Sequence, residues 1–365
     1  MTKAAELAKM GEVLTNSQIG GRRNIIINGA MQVAQRATSV AWSANGYLTV
    51  DRFQAVNNNT AGRFTMKQSA ITDLPGFANA LELDVTTADT SIAAGEVTTL
   101  QYKIEGQDLQ QLKKGTSSAE KVTLSFYVKA NAARVVVAEL MDGDNTRKIQ
   151  QKFTTTTGWT RHILTFAADT TGALDDDNAE SLQLQLWLHA GSTYTGGTFT
   201  SNTWAATTTA NRAAGIDSLY TSTDNNFFIT GIQLEVGEQA TPFEHRSFGE
   251  ELALCQRYHY RAGKAESAYT NFGQGWATAA RAGTIQIPLP VEMRAEPSVT
   301  INDVQVSDDA NAAVDCSAIA VNAATGGRQL AVLEFTVGSD VTQYRSYGLR
   351  GSNNTASHVS LSAEL

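Results

Sequence analysis

The hydrophobic positions of this chain fall mostly at every second residue. Val122, Leu124, Phe126 and Val128 alternate with Thr123, Ser125 and Tyr127, and Leu182, Leu184, Leu186 and Leu188 alternate with Gln183, Gln185, Trp187 and His189. Successive side chains of a strand point to opposite faces, so this period predicts strands with one buried face. The same reading puts Phe228, Thr230, Ile232, Leu234 and Val236 on one side of a strand and Ile229, Gly231, Gln233 and Glu235 on the other. Leu333, Phe335 and Val337 mark a further strand. Shorter candidates lie at Arg63 to Gln68, Ala80 to Val85, Ala133 to Leu140 and Arg161 to Phe166. Half-buried strands must pack face to face with a second sheet, so residues 23–246 read as a β-sandwich of the jelly-roll kind. No internal repeat is visible.

Two segments break the period. Leu7, Met10 and Leu14 are spaced by three and four in a run of good helix formers that Asn16, Gly20 and Gly21 end, which predicts a short amphipathic helix within residues 1–22. It spans fewer than two heptads and needs a partner, either its own domain or a docking site or other chains as an anchor. After Pro242, Ser247 and Glu250 form a capping box, with Leu254, Cys255 and Tyr258 along one stripe. A linker helix is therefore expected over residues 247–261. Strand and turn chemistry resumes at Ile285 to Leu289, Val299 to Ile301, Ile319 to Val321 and Leu330 to Val337, giving a smaller C-terminal β domain over residues 262–365. The fold class is all-β.

Composition sharpens this picture. The 365 residues are 42% hydrophobic, enough for two cores, and only 18% are charged. A net charge of −8 offers no field to attract phosphates, so nucleic acid is not an expected partner. No apolar run approaches the ~20 residues that cross a bilayer, and the first 21 residues lack a signal-type apolar core, so synthesis in a cytosol is expected. Cys255 and Cys316, far apart, read as two reduced thiols.

Catalytic and phosphate-binding signatures are missing from the sequence, and the five histidines are scattered. An enzyme is not expected. Glu82 with Asp84, and the run Asp175, Asp176 and Asp177, are the acids from which a glycan-cleaving pair could be assembled. Asp175 to Asn178 and Asp142-Gly143-Asp144-Asn145 offer oxygen ligands of the kind calcium takes, without EF-hand spacing, so a structural calcium and a solvated turn are the two readings. No other cofactor is expected. For binding, Gln183, Gln185, Trp187 and His189 combine amides with a stacking surface, which suits a sugar ring if that face is open. The alternative is that Trp187 packs under a loop or a neighbouring subunit. In the C-terminal domain Tyr269, Phe272, Trp276, Tyr344, Arg345, Tyr347 and Arg350 lie in turn-rich sequence and are receptor-binding candidates, with core filling as the alternative.

The run Asn24-Ile25-Ile26-Ile27-Asn28-Gly29-Ala30-Met31-Gln32-Val33-Ala34-Gln35-Arg36, followed by Tyr47-Leu48-Thr49-Val50-Asp51-Arg52-Phe53, resembles the opening of a family of bacteriophage tail-fibre and virion structural proteins of marine and cyanobacterial phages. Phe227-Phe228-Ile229-Thr230-Gly231-Ile232-Gln233-Leu234-Glu235-Val236-Gly237, then Ala240-Thr241-Pro242-Phe243-Glu244 and Cys255-Gln256-Arg257-Tyr258, is similar to the end of that module. The resemblance brackets roughly residues 24–260. It implies a jelly roll like that of carbohydrate-binding modules, a homotrimer, attachment to other tail proteins of the virion through the N-terminal segment with Leu7, Met10 and Leu14, and a distal end facing a host-surface glycan or receptor. The leading expectation is an adhesive tail-fibre subunit. The alternatives are a purely structural virion component and a surface-glycan depolymerase.

Overall fold

The computed structural model describes Lys3 and residues 23–263, 267–309 and 313–365. The expected helix with Leu7, Met10 and Leu14 lies outside the described residues. The chain divides into two compact units with the boundary between Ser247 and Phe248, and strands dominate both.

The first unit contains β1 (Ser39–Ala41), β2 (Gln54–Asn58), β3 (Arg63–Ala70), β4 (Asn79–Thr87), β5 (Val97–Glu105), β6 (Val122–Ala130), β7 (Val135–Asp142), β8 (Arg147–Thr154), β9 (Thr160–Phe166), β10 (Glu180–Ala190), β11 (Ala205–Ala206) and β12 (Asn226–Val236). They form two six-stranded antiparallel sheets, ordered β1-β3-β4-β12-β6-β9 and β11-β8-β7-β10-β5-β2. The alternating apolar sets meet between them: Leu81, Leu83, Leu124, Phe126 and Val128 from the first sheet, Leu100, Tyr102, Leu140, Ile149, Leu184 and Leu186 from the second, all buried. At about 1.5–3 kcal/mol per buried large side chain, this interface is the main source of the unit's stability.

On β12 the strict alternation expected from the sequence fails. Tyr127 of β6 faces Thr230 and Ser125 faces Gln233, so one extra residue is inserted, and Gly231 takes φ +63°. That is a bulge with glycine in the left-handed position. It reverses the phase of the N-terminal half: Phe227 and Ile229 join Ile232 and Leu234 in the core, and Phe228 turns outward to Trp159 and Lys129.

The bulge also ends the pairing of β12 with β4, which covers only Asn226 to Ile229. The freed edge is covered by the Asn24–Gly29 run. Ile25 N donates to Leu234 O at 3.0 Å, and Ile232 N to Gly29 O at 3.0 Å. Asn24 Nδ2 donates to Ile232 O at 3.0 Å, and Asn24 Oδ1 accepts from Ile26 N and Leu234 N at 3.0 Å each. A Cβ on Gly29 would lie 2.1 Å from Ile232 O, so only glycine allows this approach. Ile27 N donates to Tyr102 Oη of the second sheet at 2.8 Å, so the run ties both sheets together.

Downstream of the run, Asn28 at φ +60° donates to Val33 O and Asp51 O, and the buried Arg52 donates to Lys103 O at 2.7 Å. The other end of the unit returns to the same place. Glu244 accepts from Arg23 N at 3.2 Å and Asn24 N at 2.8 Å, and Arg246 donates to Asn24 O and Ile26 O. Burial pushes the Glu244 carboxyl up, but the N–H groups of Asn24 and Arg23 and the Arg246 charge outweigh it and hold it below the usual carboxylate range.

The second unit opens with the helix Phe248–Gln256, shorter than the linker expected over 247–261, and continues with β13 (His259–Ala262), β14 (Asn271–Ala279), β15 (Ala282–Pro288), β16 (Ser298–Asn302), β17 (Val304–Ser307), β18 (Val314–Val321), β19 (Leu330–Val337), β20 (Ser346–Gly351) and β21 (His358–Ser362). Six of these close a barrel in the order β14-β15-β19-β18-β17-β20, and β13-β21-β16 form a small sheet beside it. Phe272, Ile285, Ile287, Leu333, Phe335, Tyr347 and Leu349 belong to its core. Cys255 is buried, and burial, with the charge of Asp315, pushes the Cys316 thiol up to about 12.

Replacing Asn24 by alanine leaves one buried carbonyl and two buried N–H groups unpaired, each worth about 1–3 kcal/mol. The first unit should lose about 3 kcal/mol or more, read as a lower midpoint in urea unfolding with an unchanged slope. A loss below about 1 kcal/mol would contradict the role given to this side chain.

Candidate functional site

The face of β10 opposite the leucines is closed. Trp187 is 1% exposed and packs with Val97, Val137, Ala190 and Ala213, against Tyr194, Phe199 and Ile216 of the excursion that follows β10. Arg212 lies over its ring at 4.7 Å and is paired with the buried Glu139. This realises the alternative stated for Trp187: it packs under a loop. Gln183 and Gln185 are buried as well. Gln183 donates to Gln101 at 2.8 Å, Gln185 donates to Gln183, and Arg212 donates to Gln185 at 3.1 Å. These amides are used up within the fold.

His189 is on neither the predicted face nor an open one. A register shift against β5 between Trp187 and His189 pairs His189 with Thr98 instead of a residue on the Thr99 face. The fully buried His189 is held between Ser218 Oγ at 2.8 Å and Glu96 Oε2 at 2.9 Å, edge-on to Tyr220. Ser218 Oγ also accepts from Tyr220 N at 3.0 Å, so the serine–histidine–glutamate series is a clamp on the segment after the excursion.

The acids give no cleft. Lys67 spans Asp84 at 2.7 Å and Glu82 at 3.8 Å, and Ser69 donates to Glu82. At the end of β7, Asp142 receives the Lys114 ammonium and Asn145 Nδ2. Asp177 accepts from Ala179 N at 2.9 Å in its own turn. Among the described residues no group of three or more His, Cys, Asp or Glu side chains is placed to hold a metal ion.

The C-terminal candidates divide into two sets. Phe272, 9% exposed, and Tyr347, 5% exposed, face the barrel core, which corrects the expectation that they serve recognition. Tyr347 keeps an indirect role: its hydroxyl accepts from Thr342 N at 2.9 Å and braces the turn before β20. In that turn Arg345 N donates to Thr342 O, and Tyr344 sits at φ +63° with its N–H on Ala277 O at 2.8 Å. A turn with positive φ at its third residue favours glycine or asparagine. A tyrosine there is strained by about 1–3 kcal/mol, the kind of outlier that concentrates at functional positions. Its side chain is 79% exposed.

Next to this turn, Trp276 projects outward from β14 and is 44% exposed. It lies directly across from Thr284 on β15 and Ser346 on β20, and the next outward position, Gln274, lies across from Gln286 and Gly348. The intervening glycines are required by packing: a Cβ would lie 2.5 Å from Gln286 O at Gly273 and 1.8 Å from Thr284 O at Gly275. At the far end of the same strand pair, Asn271 faces Arg350. Arg350 lies 5.5 Å over the ring of Tyr269, which is 49% exposed, and pairs with Asp309 at 3.0 Å. Arg345 is held by the buried Asp308 at 2.9 Å.

Tyr344, Trp276, Gln274, Arg350 and Tyr269 thus follow one another along the outer wall of β14 and β20. From Trp276 to Asn271 the stripe extends about 16 Å at strand spacing. Sequence reading missed Gln274, Thr284, Gln286 and Ser346. The signal was Gly273-Gln274-Gly275-Trp276, a period-two pattern whose glycines made the segment read as turn.

No family model matches the sequence, and no curated protein does. Among solved structures, similarity is found to a CBM4 structure, 12% identical, covering 57% of this chain and 97% of that one at a TM-score of 0.28. It is also found to TmCBM61 in complex with β-1,4-galactotriose, at 10% identity, 59% and 99% coverage and a TM-score of 0.29. A third is the family 11 carbohydrate-binding module of the cellulosomal cellulase Lic26A-Cel5E of Clostridium thermocellum, at 13% identity, 55% and 100% coverage and a TM-score of 0.28.

Burial holds the His189 imidazole below the usual 6.5, and the hydrogen bond and charge of Glu96 recover only part of this. The folded unit resists a proton that the unfolded chain accepts. The resulting stability is therefore complete above the unfolded pKa and is lost as the pH falls below it. His162, also pushed down by burial, acts in the same direction. The urea midpoint of the first unit should drop between about pH 7.5 and about pH 5.5, and drop less in His189→Gln. Identical pH dependence in the two proteins would contradict the clamp.

Proposed function

We propose that this chain is a non-catalytic adhesive subunit of a bacteriophage tail fibre, and that it binds a surface glycan along the outer wall of β14 and β20. The observation that carries the glycan reading is Trp276, exposed on a regular strand with Gln274, Gln286, Thr284 and Ser346 around it. A pyranose offers an apolar C–H face and a rim of hydroxyls, which an indole and neighbouring amide and hydroxyl groups match. Tyr344 and Tyr269 extend the stacking surface at either end, and Arg350 adds donors. The fibre assignment is supported by the resemblance of residues 24–53 and 227–258 to tail-fibre proteins. With it come assembly as a homotrimer, attachment to the virion through the segment with Leu7, Met10 and Leu14, synthesis in the host cytoplasm and residence in the tail. Three linked copies of a weak site raise the effective affinity without any new contact.

The test uses the full-length chain on a printed array of bacterial surface glycans, with its solution mass measured by light scattering. A trimer that retains some glycans is expected. Trp276→Ala should weaken the retained interaction at least about 10-fold, as loss of a central aromatic anchor does, while Trp159→Ala leaves it within about twofold. Binding unchanged by Trp276→Ala would overturn the assigned surface. A trimer that retains no glycan, with Trp276 shielded from solvent quenchers, would support instead a purely structural virion component.

A further inference from the structure

In the first unit a buried ammonium occupies a cage of oxygens. Lys114 is 8% exposed. Its Nζ donates to Asp142 Oδ2, to Thr171 O at 3.1 Å and to Gly172 O at 2.9 Å, and lies 3.1 Å from Asp169 Oδ2. Two carboxylates and two carbonyls therefore converge on one positive point. An ammonium has three protons, so four oxygens at this range exceed what it can satisfy with straight hydrogen bonds. Converging carboxylate and carbonyl oxygens are the coordination chemistry of a hard cation.

The cage is built independently of the lysine stem. Arg147 clamps Asp169 through Nε at 2.9 Å and Nη2 at 3.1 Å, and Asn145 Nδ2 bonds Asp142 Oδ2 at 3.0 Å and Ala173 O at 2.8 Å. Burial pushes the Asp169 carboxyl up, but the hydrogen bonds from Arg147 and Lys114 outweigh it and keep it below the usual range. Gly172, at φ +74°, has no room for a Cβ, which would lie 2.4 Å from Asn145 Cγ. Lys114 itself is delivered by a tight corner, with Lys113 at φ +48° and Gly115 at φ +82° on either side. The Trp204 ring lies 5.0 Å from the ammonium.

We propose that this cage is a calcium-class cation site whose occupant the chain supplies itself, the Lys114 ammonium standing where a free cation would otherwise bind. Removing the ammonium while leaving the oxygens in place then creates a free-cation site and makes the first unit dependent on its ligand.

The test is thermal unfolding of full-length Lys114→Ala in chelated buffer, then with millimolar calcium, with methylammonium, and with sodium chloride at matched ionic strength. The variant should melt about 10 °C below the parent in chelator, as expected when one partner of a buried ion pair is removed. Calcium or methylammonium should recover at least half of that loss, and sodium chloride should not. Terbium, a luminescent calcium substitute, should show emission sensitised by Trp204 in the variant and none in the parent. Lys114→Met, which keeps most of the stem's packing, provides the same readings should the alanine variant not fold. Failure of every cation to recover stability in both variants would overturn the proposal, and so would a parent whose melting falls on chelation and returns with calcium.

Discussion

The first unit depends on how one buried amide repairs a broken strand edge. The extra residue at Gly231 stops β12 from pairing with β4 and leaves the backbone of Ile232 and Leu234 without partners from that strand. Asn24 answers two of those four demands, Ile232 O and Leu234 N, with one side chain that also caps Ile26 N, and Ile25 and Gly29 answer the other two through their backbones. Polar backbone at this depth has to be paired somewhere. The repair also sets the closure of the sandwich, because Ile26 and Ile27 are carried between the sheets as the amide docks, and Glu244 and Arg246 then hold the entry of the run in place. The Asn24–Gly29 run and the Ile232–Leu234 segment are about two hundred residues apart in sequence and are hydrogen-bond partners in space.

The period-two reading located most long strands because it reports a physical asymmetry, one face against the core and one away from it. It could not report where that asymmetry changes sides. A bulge inverts the phase at the cost of one residue; the isolated glycine in Thr230-Gly231-Ile232 is the one mark of it in the sequence, and Trp187-Leu188-His189 carries none. Phe228 and His189 were assigned to the wrong side for that reason. Trp187 fell on the predicted face, yet the excursion over it could not be inferred, since Ser-, Thr- and Gly-rich sequence reads the same whether it covers a sheet or loops into solvent. In the barrel the difficulty was the reverse. Glycines that allow the close approach of β14 to β15 imitate turn chemistry, so in the sequence β14 reads as loop and Phe272 and Tyr347 group with their exposed neighbours.

The two units spend their aromatic and polar groups differently. In the sandwich, the amides of Gln183 and Gln185, the Trp187 ring and the His189 imidazole are all satisfied or covered within the chain. Its paired charges do the same: Lys114 lies within a cage of oxygens and Arg212 closes over Glu139. In the barrel, Trp276, Tyr344 and Tyr269 stay exposed on one wall although a core of apolar side chains lies directly beneath, and one of the three is held in a strained backbone conformation. A rigid strand pair is a better base for recognition than a loop, because the side chains it carries lose less freedom on binding.

The most direct measurement is hydroxyl-radical footprinting of the full-length protein with and without an oligosaccharide chosen from those the array retains. Trp276, Tyr344 and Tyr269 should be oxidised readily in the free protein and protected together by the sugar, with Trp159 and Phe228 unchanged. Protection confined to side chains of the first unit, or none at the β14–β20 wall, would contradict the assignment of recognition to that surface.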